Sequence, residues 1–151
     1  MEIVGHRGAS GYAPENTLLS FSKAMEIGCD WVEMDIRLSK DGHAIVIHDA
    51  TVDRTTNGRG LVADMTLEEI KKFNCAEKQK ISSLEEVIIL CQNKIKFLIE
   101  LKAPGTPKVV SKIISDYKII QDVLIISFDL KLLKEIKILN PQIKVGYLFK
   151  N

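Results

Sequence analysis

An α/β domain built around a parallel sheet is the fold class the sequence predicts, and three observations predict it. Short β-rich runs alternate with amphipathic runs of helical period, the mark of βαβ units. The helical runs carry recognisable start and stop residues. A chain of 151 residues with 46% apolar side chains can bury a real core and fits one domain better than two.

In chain order, strands are expected at 2–5, 31–38, 44–48, 96–101, 123–127 and 143–148, six in all. The first helix should cover 17–27, with Asn16 capping its start, Gly28 taking the left-handed stop, and Leu18, Phe21 and Met25 on the inner face. Two capping boxes, Thr66 with Glu69 and Ser83 with Glu86, place helix starts near Leu67 and Leu84. Pro107 suits a first turn, and Val109, Val110, Ile113, Ile114 and Tyr117 recur behind it at helical spacing. The run 130–139 repeats that pattern until Asn140-Pro141 breaks it. The polar segment 50–82, with turns at Asn57-Gly58 and Arg59-Gly60, is too long for an ordinary βα loop and reads as an insertion after the third strand.

Composition excludes several classes of function. Lysine and arginine (21) nearly balance aspartate and glutamate (20), so no long-range field attracts nucleic acid or an anionic membrane. The longest apolar stretches fall far short of the roughly 20 residues a spanning helix needs. Gly5-His6-Arg7-Gly8 interrupts the N-terminus where a signal peptide would run apolar, so a cytoplasmic location is expected. Cys29, Cys75 and Cys91 are odd in number and lack CxxC spacing, which makes them ordinary thiols.

The chemistry gathers at strand ends and on one strand face. Alternation projects Glu33 and Asp35 to one side of the second strand and Val32, Met34 and Ile36 to the other. On the fourth strand Glu100 and Lys102 share one parity, adding a third acid. The alternative to a shared buried face is an exposed strand with a Glu100–Lys102 ion pair. Buried together, however, three carboxylates would need a cation, and a set without cysteine or histidine suits Mg²⁺, Ca²⁺ or Mn²⁺ better than zinc. His6 and His48 close the first and third strands, where imidazoles can exchange protons near neutral pH. Arg7 offers a planar fork for phosphate and Lys102 a point charge. His43, in the turn before the third strand, is expected at the surface.

Taken together, His6-Arg7-Gly8, Pro14-Glu15-Asn16-Thr17, Glu33-Met34-Asp35, His48-Asp49 and Glu100-Leu101-Lys102 resemble, in order and spacing, the motifs of the glycerophosphodiester phosphodiesterase family. Asp53-Arg54-Thr55-Thr56-Asn57-Gly58 is similar to the start of that family's insertion. The resemblance implies a TIM-barrel-like (β/α) fold and one divalent cation, Mg²⁺ or Ca²⁺ with Mn²⁺ as a further candidate, on Glu33, Asp35 and Glu100. It also implies His6 and His48 as acid and base, Arg7 and Lys102 on the phosphate, and Phe128 as a glycerol contact. Glu15 and Asn16 are expected to brace the loop and cap the helix. The implied reaction is hydrolysis of a small-molecule glycerophosphodiester to sn-glycerol 3-phosphate and an alcohol.

A (β/α)8 barrel needs eight strands and typically about 250 residues. The expectation is therefore a partial domain over 1–151, a truncated barrel of six strands with open edges that favour self-association. Two further readings stand beside hydrolysis. One is a phospholipase D-like action on lysophospholipids, the other a catalytically silent fragment or phosphate-binding module.

Overall fold

Seven strands form one open, mostly parallel sheet in the computed structural model, which describes residues 1–149. They are β1 (Val4–Gly5), β2 (Trp31–Leu38), β3 (Ala44–Val46), β4 (Ser82–Ser83), β5 (Lys96–Leu101), β6 (Val123–Ser127) and β7 (Lys144–Tyr147). The spatial order is β4-β3-β2-β5-β6-β7, with β1 pairing the start of β2. The β1–β2, β2–β5, β5–β6 and β6–β7 ladders are parallel.

Two expectations need correction. The sheet has seven strands, not six, and β3 runs antiparallel to β2. Only Ser39 to His43 separate β2 from β3, whereas a parallel crossover takes a dozen residues or more. Gly42, at φ +83°, closes this hairpin and donates its N–H to the Ser39 carbonyl. The seventh strand, Ser82–Ser83, lies where the chain returns from the insertion and pairs antiparallel with β3.

The helices are α1 (Leu18–Glu26), α2 (Leu67–Lys72), α3 (Leu84–Cys91), α4 (Thr106–Asp116) and α5 (Leu130–Leu139). The Thr66–Glu69 and Ser83–Glu86 capping boxes both form. The first helix differs from expectation. Thr17 caps it, in a box with Ser20, and Asn16 is drawn elsewhere.

The main core lies between the helices and one face of the sheet. Val32, Met34 and Ile36 of β2, Phe97, Ile99 and Leu101 of β5, and Ile125 of β6 meet Phe21, Ala24, Val87, Ile88, Val110, Ile114 and Ile136. Burial of each of these side chains larger than alanine contributes roughly 1.5–3 kcal/mol. A second cluster of Ile45, Ile47, Val52, Val62, Ile70 and Ile81 fastens residues 50–82 against β3. Among the described residues no helix is long and apolar enough to cross a membrane. The β1 and β7 sides are open: Ile3 and Val4 are exposed at one, and Leu130, Ile138, Tyr147 and Phe149 at the other.

Candidate active site

Glu33, Asp35 and Glu100 converge on the face of the sheet away from the helices. Alternation along β2 carries the two acids of that strand, and the β2–β5 register sets Asp35 opposite Glu100. All three are buried, and one carboxylate oxygen from each lies within 4.8 Å of the others. Crowding has an electrostatic consequence. Burial, reinforced by Asp35, pushes the Glu33 carboxyl up to about 7, and burial also raises Glu100 against the pull of Lys102.

Two cations already lie in the cluster. The Lys102 ammonium is 2.7 Å from Glu100 and 3.2 Å from Asp35, so the pair expected on an exposed strand forms within the buried cluster. The Arg7 Nε is 3.5 Å from Asp35, and the Arg7 backbone N–H donates to Glu33 Oε2 at 2.8 Å. Asn16, itself buried, donates its side-chain N–H to Asp35 Oδ2 at 3.0 Å, while its Oδ1 is a buried acceptor with no hydrogen-bond partner among the described residues. Three clustered carboxylates beside an unpaired amide oxygen form an all-oxygen donor set. That set fits a hard divalent cation, whose charge would relieve the crowding.

The loop after β1 is bent to deliver these groups. Arg7 (φ 54°) and Gly8 (φ 77°) both take left-handed backbone. A Cβ at Gly8 would lie 2.3 Å from Ser20 Oγ, so only glycine lets the loop rest on α1. There Ser20 Oγ donates to the Arg7 carbonyl and the Asn16 N–H donates to the same oxygen. His6 follows β1 with its Nε2 3.8 Å from Glu33 and a largely exposed ring.

His48 arrives by a different route from the one expected. Because β3 runs backwards, the chain descends beside β2, where the Ile47 N–H reaches the Asp35 carbonyl and Arg37 Nε donates to the His48 carbonyl. The ring then shares a small cleft with Glu15 and Asn16. Its Nδ1 is 2.8 Å from Asp49 Oδ1. From Asp49 an array of alternating charge leads back to the acids: Arg54 pairs with Asp49 and Glu15, Glu15 with Arg7, and Arg7 with Asp35. Hydrogen bonds from Arg54, then from His48, hold Asp49 well below the usual carboxylate range. The Arg54 fork likewise lowers Glu15.

Phe128 follows β6, with the Lys102 ammonium 6.0 Å from its ring centroid. His43 is at the surface, as expected. Sequence reasoning treated Asn16 as a helix cap and gave Arg54 no role. The signal for Asn16 lay in Thr17, a capping residue one position on. For Arg54, whose partner Glu15 is 39 residues away, no local signal existed.

Residues 6–151 match the glycerophosphoryl diester phosphodiesterase family. The chain belongs to that family. It is 43% identical to a glycerophosphodiester phosphodiesterase of Caldanaerobacter subterraneus subsp. tengcongensis, over 98% of this chain and 66% of that protein. Among solved structures, a glycerophosphodiester phosphodiesterase from Agrobacterium tumefaciens superposes with a TM-score of 0.91 at 31% identity, covering 96% of this chain and 65% of that one. An Oleispira antarctica phosphodiesterase, in complex with the product sn-glycerol-3-phosphate, gives 0.86 at 32% identity, covering 97% and 65%. The chain thus spans just under two thirds of these family members, and its fold is their TIM-barrel-like α/β fold with the sheet left open.

Proposed function

We propose that this chain carries the metal- and phosphate-binding part of a glycerophosphodiester phosphodiesterase, which hydrolyses glycerophosphodiesters to sn-glycerol 3-phosphate and an alcohol. The observation that carries the reading is the convergence of Glu33, Asp35 and Glu100 beside two cationic side chains. The product named in the Oleispira complex supports the substrate class. In this reading 1–151 is part of the family's domain, and residues 50–82 are an insertion beside the site.

Glu33, Asp35 and Glu100 would hold one Mg²⁺, Ca²⁺ or Mn²⁺, which supplies Lewis-acid stabilisation of charge on a phosphoryl oxygen. Arg7 and Lys102 donate to the nonbridging phosphate oxygens, Arg7 through its planar fork and Lys102 as a point charge. His6 and His48 form the acid–base pair. One ring takes the proton of the attacking group and the other protonates the departing alkoxide, which would leave slowly as an anion; the attacking group is water itself, or the neighbouring glycerol hydroxyl followed by water opening the resulting cyclic phosphate. Phe128, with the Lys102 ammonium 6.0 Å from its ring centroid, contacts the glycerol moiety.

The test is hydrolysis of glycerophosphocholine with and without chelator, alongside titration of Mg²⁺, Ca²⁺ and Mn²⁺ by calorimetry. Chelator-sensitive turnover and a single cation site are expected. Absence of cation binding would end the reading. The exposed apolar residues along α5 and β7 favour a second reading, in which the isolated chain binds metal and phosphate but turns over weakly and associates with a second copy through its open edges.

A further inference from the structure

We propose that Arg54 is a positioning residue for His48: by clamping Asp49 and Glu15 together it fixes which ring nitrogen of His48 is free to exchange a proton. The inference rests on the reading of His48 as one of the acid–base pair and adds the device that sets its tautomer.

The clamp is two-sided. Arg54 Nε and Nη2 donate to the two oxygens of Asp49 at 2.8 and 3.1 Å, and Nη1 and Nη2 donate to the two oxygens of Glu15 at 2.9 and 2.8 Å. One planar guanidinium therefore holds two carboxylates in bidentate fashion, which a lysine ammonium cannot imitate. Arg54 is half exposed, and an isolated exposed ion pair contributes little to stability. What distinguishes this one is where its two ends lead. Glu15 continues through Arg7 Nη1, at 3.1 Å, and Arg7 continues to Asp35, so one side of the clamp is tied to the acidic cluster. Asp49 continues to His48 Nδ1, so the other side is tied to the imidazole.

Proton placement then follows from donor and acceptor inventory. With Arg54 on both of its oxygens, Asp49 is ionised and can only accept. A 2.8 Å contact between Asp49 Oδ1 and His48 Nδ1 thus requires the hydrogen on Nδ1. In the neutral ring the lone pair is left on Nε2, and in the imidazolium Nε2 carries the acidic proton. The same atom serves as base and as acid. Without the clamp, Asp49 is free to turn about its side-chain torsions, and the ring reverts toward the Nε2–H tautomer that imidazole side chains in water favour. That form cannot accept a proton at Nε2. The charged and titratable groups around the ring are Asp49 and Arg54 on its own segment, Arg37 at its carbonyl, and Glu15 and Cys75 across the cleft.

The experiment compares the wild-type chain with Asp49→Asn, Arg54→Met and Arg54→Lys. Long-range ¹H–¹⁵N spectra of ¹⁵N-histidine-labelled protein report the tautomer without any need for turnover. The wild type should show His48 with its hydrogen on Nδ1. Each variant should raise the Nε2–H fraction several-fold, while Mn²⁺ affinity measured by calorimetry stays the same. In glycerophosphocholine hydrolysis kcat should fall by roughly 10- to 100-fold, the scale on which loss of a histidine's outer partner acts, with KM moving much less. A wild-type ring protonated on Nε2, or an unchanged tautomer in Arg54→Met, overturns the inference. Should circular dichroism show Arg54→Met unfolded, Arg54→Lys decides alone, because it keeps the charge and loses only the fork. If the tautomer shifts as expected but the wild type cleaves no glycerophosphocholine, the phosphodiesterase reading fails while the positioning of His48 stands. Metal-dependent cleavage with an unmoved tautomer removes the positioning alone.

Discussion

Replacing Glu33 by glutamine should make the metal-free protein more stable and deprive it of its response to metal. Glu33 is buried beside Asp35 and Glu100, and its carboxyl is pushed from an ordinary 4.5 to about 7. A carboxyl whose folded pKa is raised binds its proton more tightly in the native state. Its contribution is therefore fully present below about pH 4.5 and is lost as the pH rises toward 7. At about 1.4 kcal/mol per pKa step, the loss amounts to about 3 kcal/mol by pH 8. Glutamine removes it: its carbonyl can still accept the Arg7 N–H, and its amide can donate to the neighbouring carboxylates. For a chain of this size about 1 kcal/mol moves the melting temperature by roughly 2–4 °C, so Glu33→Gln should melt about 6–12 °C higher than wild type at pH 8 in chelator. At pH 4 the two should nearly coincide. Added Mg²⁺, Ca²⁺ or Mn²⁺ should raise the wild type and leave the variant where it was. Differential scanning calorimetry at both pH values measures all of this. A variant no more stable than wild type at pH 8 in chelator, or one that metal still stabilises equally, would refute the reasoning.

Three other outcomes are expected. His6→Ala and His48→Ala should each lower glycerophosphocholine turnover by roughly 10²-fold or more while leaving metal affinity intact; near-normal turnover would assign that ring to structure. Gly8→Ala places a methyl 2.3 Å from Ser20 Oγ at a φ of +77°, and should cost about 2 kcal/mol or more in chemical denaturation. An unchanged midpoint would mean that the His6–Gly8 loop is free to move off α1. The exposed Leu130, Ile138, Tyr147 and Phe149 should drive self-association, so sedimentation at micromolar concentration should report a dimer or larger, and a monodisperse monomer would count against it.

What the sequence made legible was local and periodic. The bounds of β2, β5, β6 and α5 agree with expectation because alternation, strand-flanking polar residues and the Asn140-Pro141 break each act within a few residues. The acidic cluster was legible for the same reason, since side-chain parity along β2 and β5 needs only a parallel pairing of the two strands to bring Glu33, Asp35 and Glu100 together. Strand direction was not read from periodicity, because alternation is identical in both directions. The five residues between β2 and β3 were the available clue. Asn16 was misread because a cap and a buried amide partner look alike in sequence. The choice between them was made by Asp35, a residue on another element. Arg54 was missed because its meaning lies in two carboxylates that the fold, and not the chain, brings side by side.

Charge balance ties the cluster and the clamp into one site. Five carboxylates, Glu15, Glu33, Asp35, Asp49 and Glu100, face four cations, Arg7, Arg37, Arg54 and Lys102. Without metal the set reaches neutrality when one acid keeps its proton, and Glu33, whose carboxyl burial and the neighbouring Asp35 push up to about 7, is an acid placed to keep it. A divalent cation taking the place of that proton leaves the site with one net positive charge, which matches a phosphodiester monoanion. Metal binding should thus release about one proton from Glu33 below pH 6 and almost none above pH 8. Calorimetric titration of Mn²⁺ in two buffers of different ionisation enthalpy reads that number directly. If the heat at pH 6 is the same in both buffers, Glu33 is already ionised in the metal-free site and the balance drawn between its proton and the cation is wrong.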